Sequence, residues 1–78
     1  KSSFIDYKTM LQENNQKNSR DKLKYKIVKE EGPDHDKKFY VDVYEGNLVI
    51  GSGFGSSKKH AEQDAARNAL IRLRVINE

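Results

Sequence analysis

Cysteine is absent from this 78-residue chain, so no disulfide and no thiolate metal site supports its fold. That absence fits a reducing compartment, and the expected location is the cytoplasm. No apolar run approaches the ~20 residues needed to cross a bilayer, and Lys1-Ser2-Ser3-Phe4-Ile5-Asp6 is followed by no apolar stretch of the kind a signal peptide needs. An initiator methionine is also missing, which suggests a piece of a longer protein. Apolar residues are scarce at 35%, matched by 35% charged residues. The length allows one small domain, with a core only if the apolar residues are well patterned. No internal repeat or low-complexity segment is present.

The charge is uneven. The chain carries a formal +3. Lys58, Lys59, Arg67, Arg72 and Arg74 against Glu62 and Asp64 supply all of it, since the rest of the chain holds ten bases and ten acids. A localised excess of this kind suits a polyanionic partner, although a solvated surface helix has the same composition.

Periodicity gives the order of elements. Tyr7, Met10 and Leu11 share a helical face over 4–17, and Thr9, Gln12, Glu13 and Gln16 form a second, polar face. Asn18-Ser19-Arg20-Asp21-Lys22 reads as a loop. Tyr25 and Ile27 alternate with lysines in a first strand that fades at Glu30-Glu31. Gly32-Pro33-Asp34-His35-Asp36 is a turn cluster, with Pro33 restricting φ and Asp34 able to bond nearby backbone. Phe39, Val41 and Val43 alternate in a second strand. Glu45-Gly46-Asn47 makes a hairpin turn. Leu48-Val49-Ile50 begins a third strand, whose end Gly51, Gly53 and Gly55 punctuate. Ala61, Ala65, Ala69 and Leu73 then repeat in steps of four, beside Ala66, Leu70 and Ile71. Ser56 or Ser57 is the natural cap of this last helix. The expected fold is α+β, ordered α-β-β-β-α, with three antiparallel strands and two helices packed on one face.

Three places carry binding chemistry. At Gly53-Phe54-Gly55-Ser56-Ser57-Lys58-Lys59, unpaired amides, a helix dipole and two ammonium groups converge, as a phosphate site requires. Lysines there oppose the dipole unless an anion is present. The Walker and dinucleotide motifs both fail, because Ser56 stands five residues after Gly51. The Pro33–His35 turn can enter a groove at low ordering cost, with His35 as a donor; His35 has no partner for general-base work. Gln12 and Glu13 can bond hydroxyls or base edges, Glu13 only toward a donor such as a ribose 2′-OH. Each place also has a plain reading as solvated surface. Together they match one RNA duplex: the helix and turn suit minor grooves lined with 2′-OH, and the lysines suit the phosphates between.

Asp6-Tyr7-Lys8-Thr9 with Leu11-Gln12-Glu13, then Gly32-Pro33-Asp34-His35, then Gly53-x-Gly55-x-Ser57-Lys58-Lys59-x-Ala61-Glu62 resembles the double-stranded-RNA-binding domain, over Asp6 to Leu73. Within that family the pattern is most similar to the C-terminal domains of bacterial ribonuclease III. The resemblance assigns the domain to 4–74, with 1–3 and 75–78 as tails. It implies that Thr9, Gln12, Glu13 and Gln16 lie in one minor groove, and that Pro33, Asp34 and His35 enter the next. Ser57, Lys58 and Lys59 then hold phosphates across the major groove. It implies double-stranded RNA as partner, with no membrane, small-molecule substrate or cofactor for this domain. Catalysis, a divalent metal such as Mg, and homodimerisation are expected in a catalytic domain outside the chain. Glu62 stands where many relatives have a third base, which lowers the expected affinity of the isolated domain. A protein-interaction or dimerisation module of the same fold is the alternative.

Overall fold

The structure is a computed structural model and describes residues 5–18 and 21–77. The elements run α1 (Tyr7–Asn18), β1 (Leu23–Glu31), a 3-10 turn (Asp34–Asp36), β2 (Lys38–Glu45), β3 (Leu48–Gly55) and α2 (Lys58–Arg72). The expected α-β-β-β-α order is present, with one antiparallel sheet ordered β1-β2-β3. Phe4, expected to open the first helix, lies outside the described residues, as do Ser19 and Arg20 of the first loop. α1 opens at Tyr7 because Asp6 caps it: the Thr9 amide and hydroxyl donate to the Asp6 carboxylate at 3.1 and 2.8 Å.

The core is small. Leu11 from α1, Val41 and Val43 from β2, Ile50 from β3, and Ala61, Ala65, Ala66, Ala69 and Leu70 from α2 are all buried in one cluster. Both helices therefore cover the same sheet face. α2 lies across β3 and β2, and α1 packs against α2. Asn15, one turn beyond Leu11, is buried and donates to the Asp21 carbonyl at 2.8 Å, which turns the chain back toward β1.

Two strands are longer than their side-chain patterns indicate. β1 continues through Glu30 and Glu31, paired with Phe39 and Lys38. A register shift between Ile27 and Lys29 breaks the alternation and leaves Val28 exposed; the strand resumes in the opposite phase, which hides its last residues from a period-of-two reading. β3 runs through Gly51, Gly53 and Gly55 rather than stopping at them. These glycines pair with Val43, Val41 and Phe39 on the helix-facing side. A Cβ on Gly51 would stand 2.6 Å from the Ala65 carbonyl oxygen, and one on Gly55 would stand 2.8 Å from the Ala61 amide nitrogen. Four helical residues rise ~6 Å and two strand residues span ~6.7 Å. Ala61, Ala65 and Ala69 thus stay in step with Gly55, Gly53 and Gly51 over three repeats, and helix backbone rests nearly on strand backbone.

α2 also covers the β3 edge. The Phe54 amide donates to Asp64 Oδ2 at 3.0 Å, and Asn68 Nδ2 donates to the Ser52 carbonyl at 2.6 Å. Those groups are then closed to pairing with another strand.

The helix ends in a Schellman turn. The Val75 amide reaches the Leu70 carbonyl at 2.9 Å and the Arg74 amide reaches that of Ile71 at 3.0 Å. Residues 75 and 76 therefore fold back, and Ile76 packs on the core. Arg74 occupies the left-handed position at φ 63°, where a side chain is strained and glycine is not. Arg74→Gly should raise the unfolding free energy by about 0.5–1 kcal/mol in urea denaturation.

Candidate nucleic-acid interface

Ser57 begins the phosphate-type site. Its backbone is extended, its hydroxyl accepts from the His60 amide at 3.1 Å, and its carbonyl accepts from the Ala61 amide at 2.9 Å. Ser57, not Ser56, is therefore the cap. Its hydroxyl still has a proton to donate. The Lys58 and Lys59 amides belong to the group that a helix leaves without an intrahelical acceptor. Both side chains are exposed, and the first turn contains no acid. Positive dipole, free amides and two ammonium groups converge there.

The 3-10 turn stands beside this helix start. Gly32 takes φ 97°, a value forced by the tight return: a Cβ would meet the Asp36 carbonyl oxygen at 2.5 Å. The Asp36 amide closes the turn on the Pro33 carbonyl at 2.9 Å. Pro33, Asp34 and His35 are all exposed at its tip. A cleft of about 420 Å³ is lined by Asp34, His35, Asp36, Lys37, Phe39 and Ser56. The cleft thus sets the turn against Ser56, the residue just before the Ser57 cap of α2; Ser57, Lys58 and Lys59 do not line it.

The third element joins through α2. Thr9, Gln12, Glu13 and Gln16 are exposed on one stripe of α1. Thr9 is not wholly free, since its hydroxyl serves the Asp6 cap. The stripe does not line the His35 cleft; its position is set by a latch between the helices. Gln63 Oε1 accepts from the Tyr7 amide at 2.7 Å, and Gln63 Nε2 donates to Asp6 Oδ1 at 2.9 Å. A side chain of α2 therefore completes the N-terminal cap of α1. Beside it, Lys8 Nζ pairs with Glu62 Oε1 at 2.6 Å and lies 4.8 Å from the Tyr25 ring centre. Glu62 replaces an expected base, yet its charge is met by Lys8 of α1. Sequence reasoning had no route to Gln63, which lies 57 residues from Asp6.

The latch leaves electrostatic traces. The Gln63 hydrogen bond, then those of the Thr9 amide and hydroxyl, hold the Asp6 carboxyl at about 2, below its ordinary 3.8. Burial, followed by the nearby Glu62 and Asp6 charges, pushes the Tyr25 phenol up to about 12. Its hydroxyl is buried with no hydrogen-bond partner. A carboxyl with a lowered folded-state pKa contributes its full stability above the unfolded value and loses it as the pH falls through the folded one. The latch should therefore hold through pH 3.8 and open toward about pH 2. Following the Tyr7 amide and Gln63 side-chain amide by NMR during acid titration checks this. An inflection near 3.8 would mean that the Gln63 bond does not form in solution.

The family profile described as a double-stranded RNA binding motif matches residues 7–73. The chain belongs to this family. Among curated relatives, this double-stranded RNA binding motif is 56% identical over 68 residues to Ribonuclease 3 of Natranaerobius thermophilus, covering 87% of the chain and 30% of that protein. It is 49% identical over 70 residues to Ribonuclease 3 of Clostridium perfringens, covering 90% of the chain and 30% of the relative. With Ribonuclease 3 of Latilactobacillus sakei it shares 49% identity over 74 residues, or 95% of the chain and 32% of the relative. The chain thus spans about a third of the length of these proteins. Among the described residues of the domain, no group of three or more His, Cys, Asp or Glu is placed to hold a metal ion. No described helix is long and apolar enough to cross a membrane.

Proposed function

We propose that this domain grips double-stranded RNA at three successive places and presents it to a ribonuclease III catalytic domain elsewhere in a longer chain. The observation that carries the reading is the start of α2, where the Ser57 cap and the exposed Lys58 and Lys59 form an acid-free first turn, with the His35 turn beside the preceding Ser56. Lys58, Lys59 and the Ser57 hydroxyl take phosphates bordering the major groove. Pro33, Asp34 and His35 enter the minor groove on one side of them. Thr9, Gln12, Glu13 and Gln16 enter the minor groove on the other side, held at a set distance by the Gln63 latch. Such a grip follows A-form shape over ~16 base pairs rather than base sequence. Cleavage, its divalent metal and homodimerisation belong in this reading to the other domain, and the setting is the cytoplasm. Three of the carboxylates serve structure: Asp6 caps α1, Asp64 accepts from the Phe54 amide and Glu62 pairs with Lys8.

Titration with a ~20-base-pair RNA and a DNA of matching sequence tests the groove contacts. The RNA should bind roughly tenfold or more tightly at equal salt, because 2′-OH groups and the A-form minor groove are what α1 and the turn are placed to meet. Equal affinity would remove both groove assignments.

A further inference from the structure

The sheet face turned away from the helices is neither bare nor neutral. Register places Lys24, Lys26, Lys29 and Glu31 of β1, Lys38, Tyr40, Asp42 and Tyr44 of β2, and Ser52 and Phe54 of β3 on it. Both acids are engaged within the face. Glu31 accepts from the Tyr40 hydroxyl at 2.9 Å and pairs with Lys29 at 3.4 Å, while Asp42 accepts from the Ser52 hydroxyl at 2.7 Å. The four lysines leave the face cationic.

Its aromatic centre is Phe54, 54% exposed although it lies within a strand. Phe54 stacks on Tyr40, with ring centres 5.8 Å apart and planes inclined by 26°. Lys38 lies 5.3 Å from the Phe54 ring centre and Lys29 lies 5.4 Å from that of Tyr40. Gly53 and Gly55 on either side keep α2 close against the opposite face, so Phe54 has no place in the core. A second cleft, of about 380 Å³, has Phe54 and Lys38 on its wall together with Pro33, Gly55 and Ser56. It runs from Phe54 to the Pro33 turn and to Ser56, next to the α2 cap.

We propose that this surface takes an unpaired RNA strand continuing from the end of the gripped duplex. Its bases stack on Phe54 and Tyr40, and its phosphates lie against Lys38 and Lys29. Planar rings beside cations on an open sheet are the chemistry that single strands use, and stacking tolerates any base. An acidic protein segment would meet the lysines, but it has no use for the exposed Phe54 ring beside the duplex grip. The proposal rests on the duplex reading, and the experiment separates the two.

A blunt RNA duplex and the same duplex with a short unpaired extension are titrated against the chain. Extensions at either end and of either polarity are included. The extension that reaches Phe54 should tighten binding about tenfold, on the scale of one stacked base. Phe54→Ala should abolish that gain and leave blunt-duplex affinity unchanged, which also shows that the variant is folded. Phe54→Trp should keep the gain. Because the chain contains no other tryptophan, its emission should be quenched by the extended duplex and not by the blunt one. Equal wild-type affinity for blunt and extended duplexes, or an indole indifferent to the extension, would overturn the proposal. Concentration-dependent dimerisation without RNA that Phe54→Ala abolishes would assign the face to a second copy and overturn it as well. Failure of the duplex reading appears separately, as a blunt RNA bound no better than DNA.

Discussion

Replacing Lys58 and Lys59 together by alanine should weaken duplex-RNA binding by about one to two orders of magnitude and lower its salt dependence by roughly two ion contacts. Each phosphate held by a lysine releases condensed counterions. A plot of log affinity against log salt should therefore become shallower by about 1.4–1.8 when two such contacts are lost. Both lysines are exposed in a first turn that holds no acid, so their charge is directed at whatever approaches the helix end. The same substitution removes two cations that oppose the helix dipole, a change worth a few tenths of a kcal/mol to about 1 kcal/mol each in the stabilising direction. The variant should thus melt no lower than the parent while binding more weakly. A drop in melting temperature would mean that the lysines support the fold. An unchanged salt slope would mean that the phosphates are held elsewhere.

Gly53→Ala should be the most damaging single methyl in the domain. The added Cβ would fall on the Ala65 amide nitrogen and close to the Asp64 carbonyl carbon. Both are backbone atoms of α2, so no side chain can rotate away and the whole helix must move. Overpacking commonly costs about 1–3 kcal/mol, and the upper end or beyond is expected where the obstacle is a helix backbone. Domains of this size hold on the order of 5 kcal/mol in total. The melting temperature should fall by more than about 10 °C. Ser52→Ala, one residue away on the opposite sheet face, loses one exposed hydrogen bond to Asp42 and should change stability by about 0.5 kcal/mol or less. Similar melting for the two variants would refute the close helix–strand approach.

Gly53 also shows where pattern reading reaches its end. Three glycines in alternation suggest a strand giving out, because glycine lacks a side chain to pack and marks turns. Only the helix lying on them supplies the reason for a strand there. β1 has the same character: a bulge at Val28 shifts the phase of the pattern, so Glu30 and Glu31 read as loop although they pair with Phe39 and Lys38. The second helix was legible in its alanine face, which recurs every four residues, but its cap was narrowed only to Ser56 or Ser57, and Leu73, in step with the alanines, lies exposed beyond the last turn. Of the proposed contact residues, Lys58, Lys59, His35, Gln12 and Glu13 were all readable as exposed polar groups at element ends or on one helical stripe. Their arrangement was not.

By itself, the sequence determined the order α-β-β-β-α, the apolar faces of α1, β2 and α2, the excess charge of the α2 segment and the family motifs. All of these depend on residues within one or two turns of each other, where periodicity and capping act. Tertiary structure alone decided that Gln63 caps α1, that Lys8 meets Glu62, that Gly51, Gly53 and Gly55 seat α2, and that Phe54 and Tyr40 stand together on the open face. Those contacts depend on how a helix is rolled and pressed against the sheet. That geometry is the net outcome of packing the whole core, and no local stretch of residues encodes it.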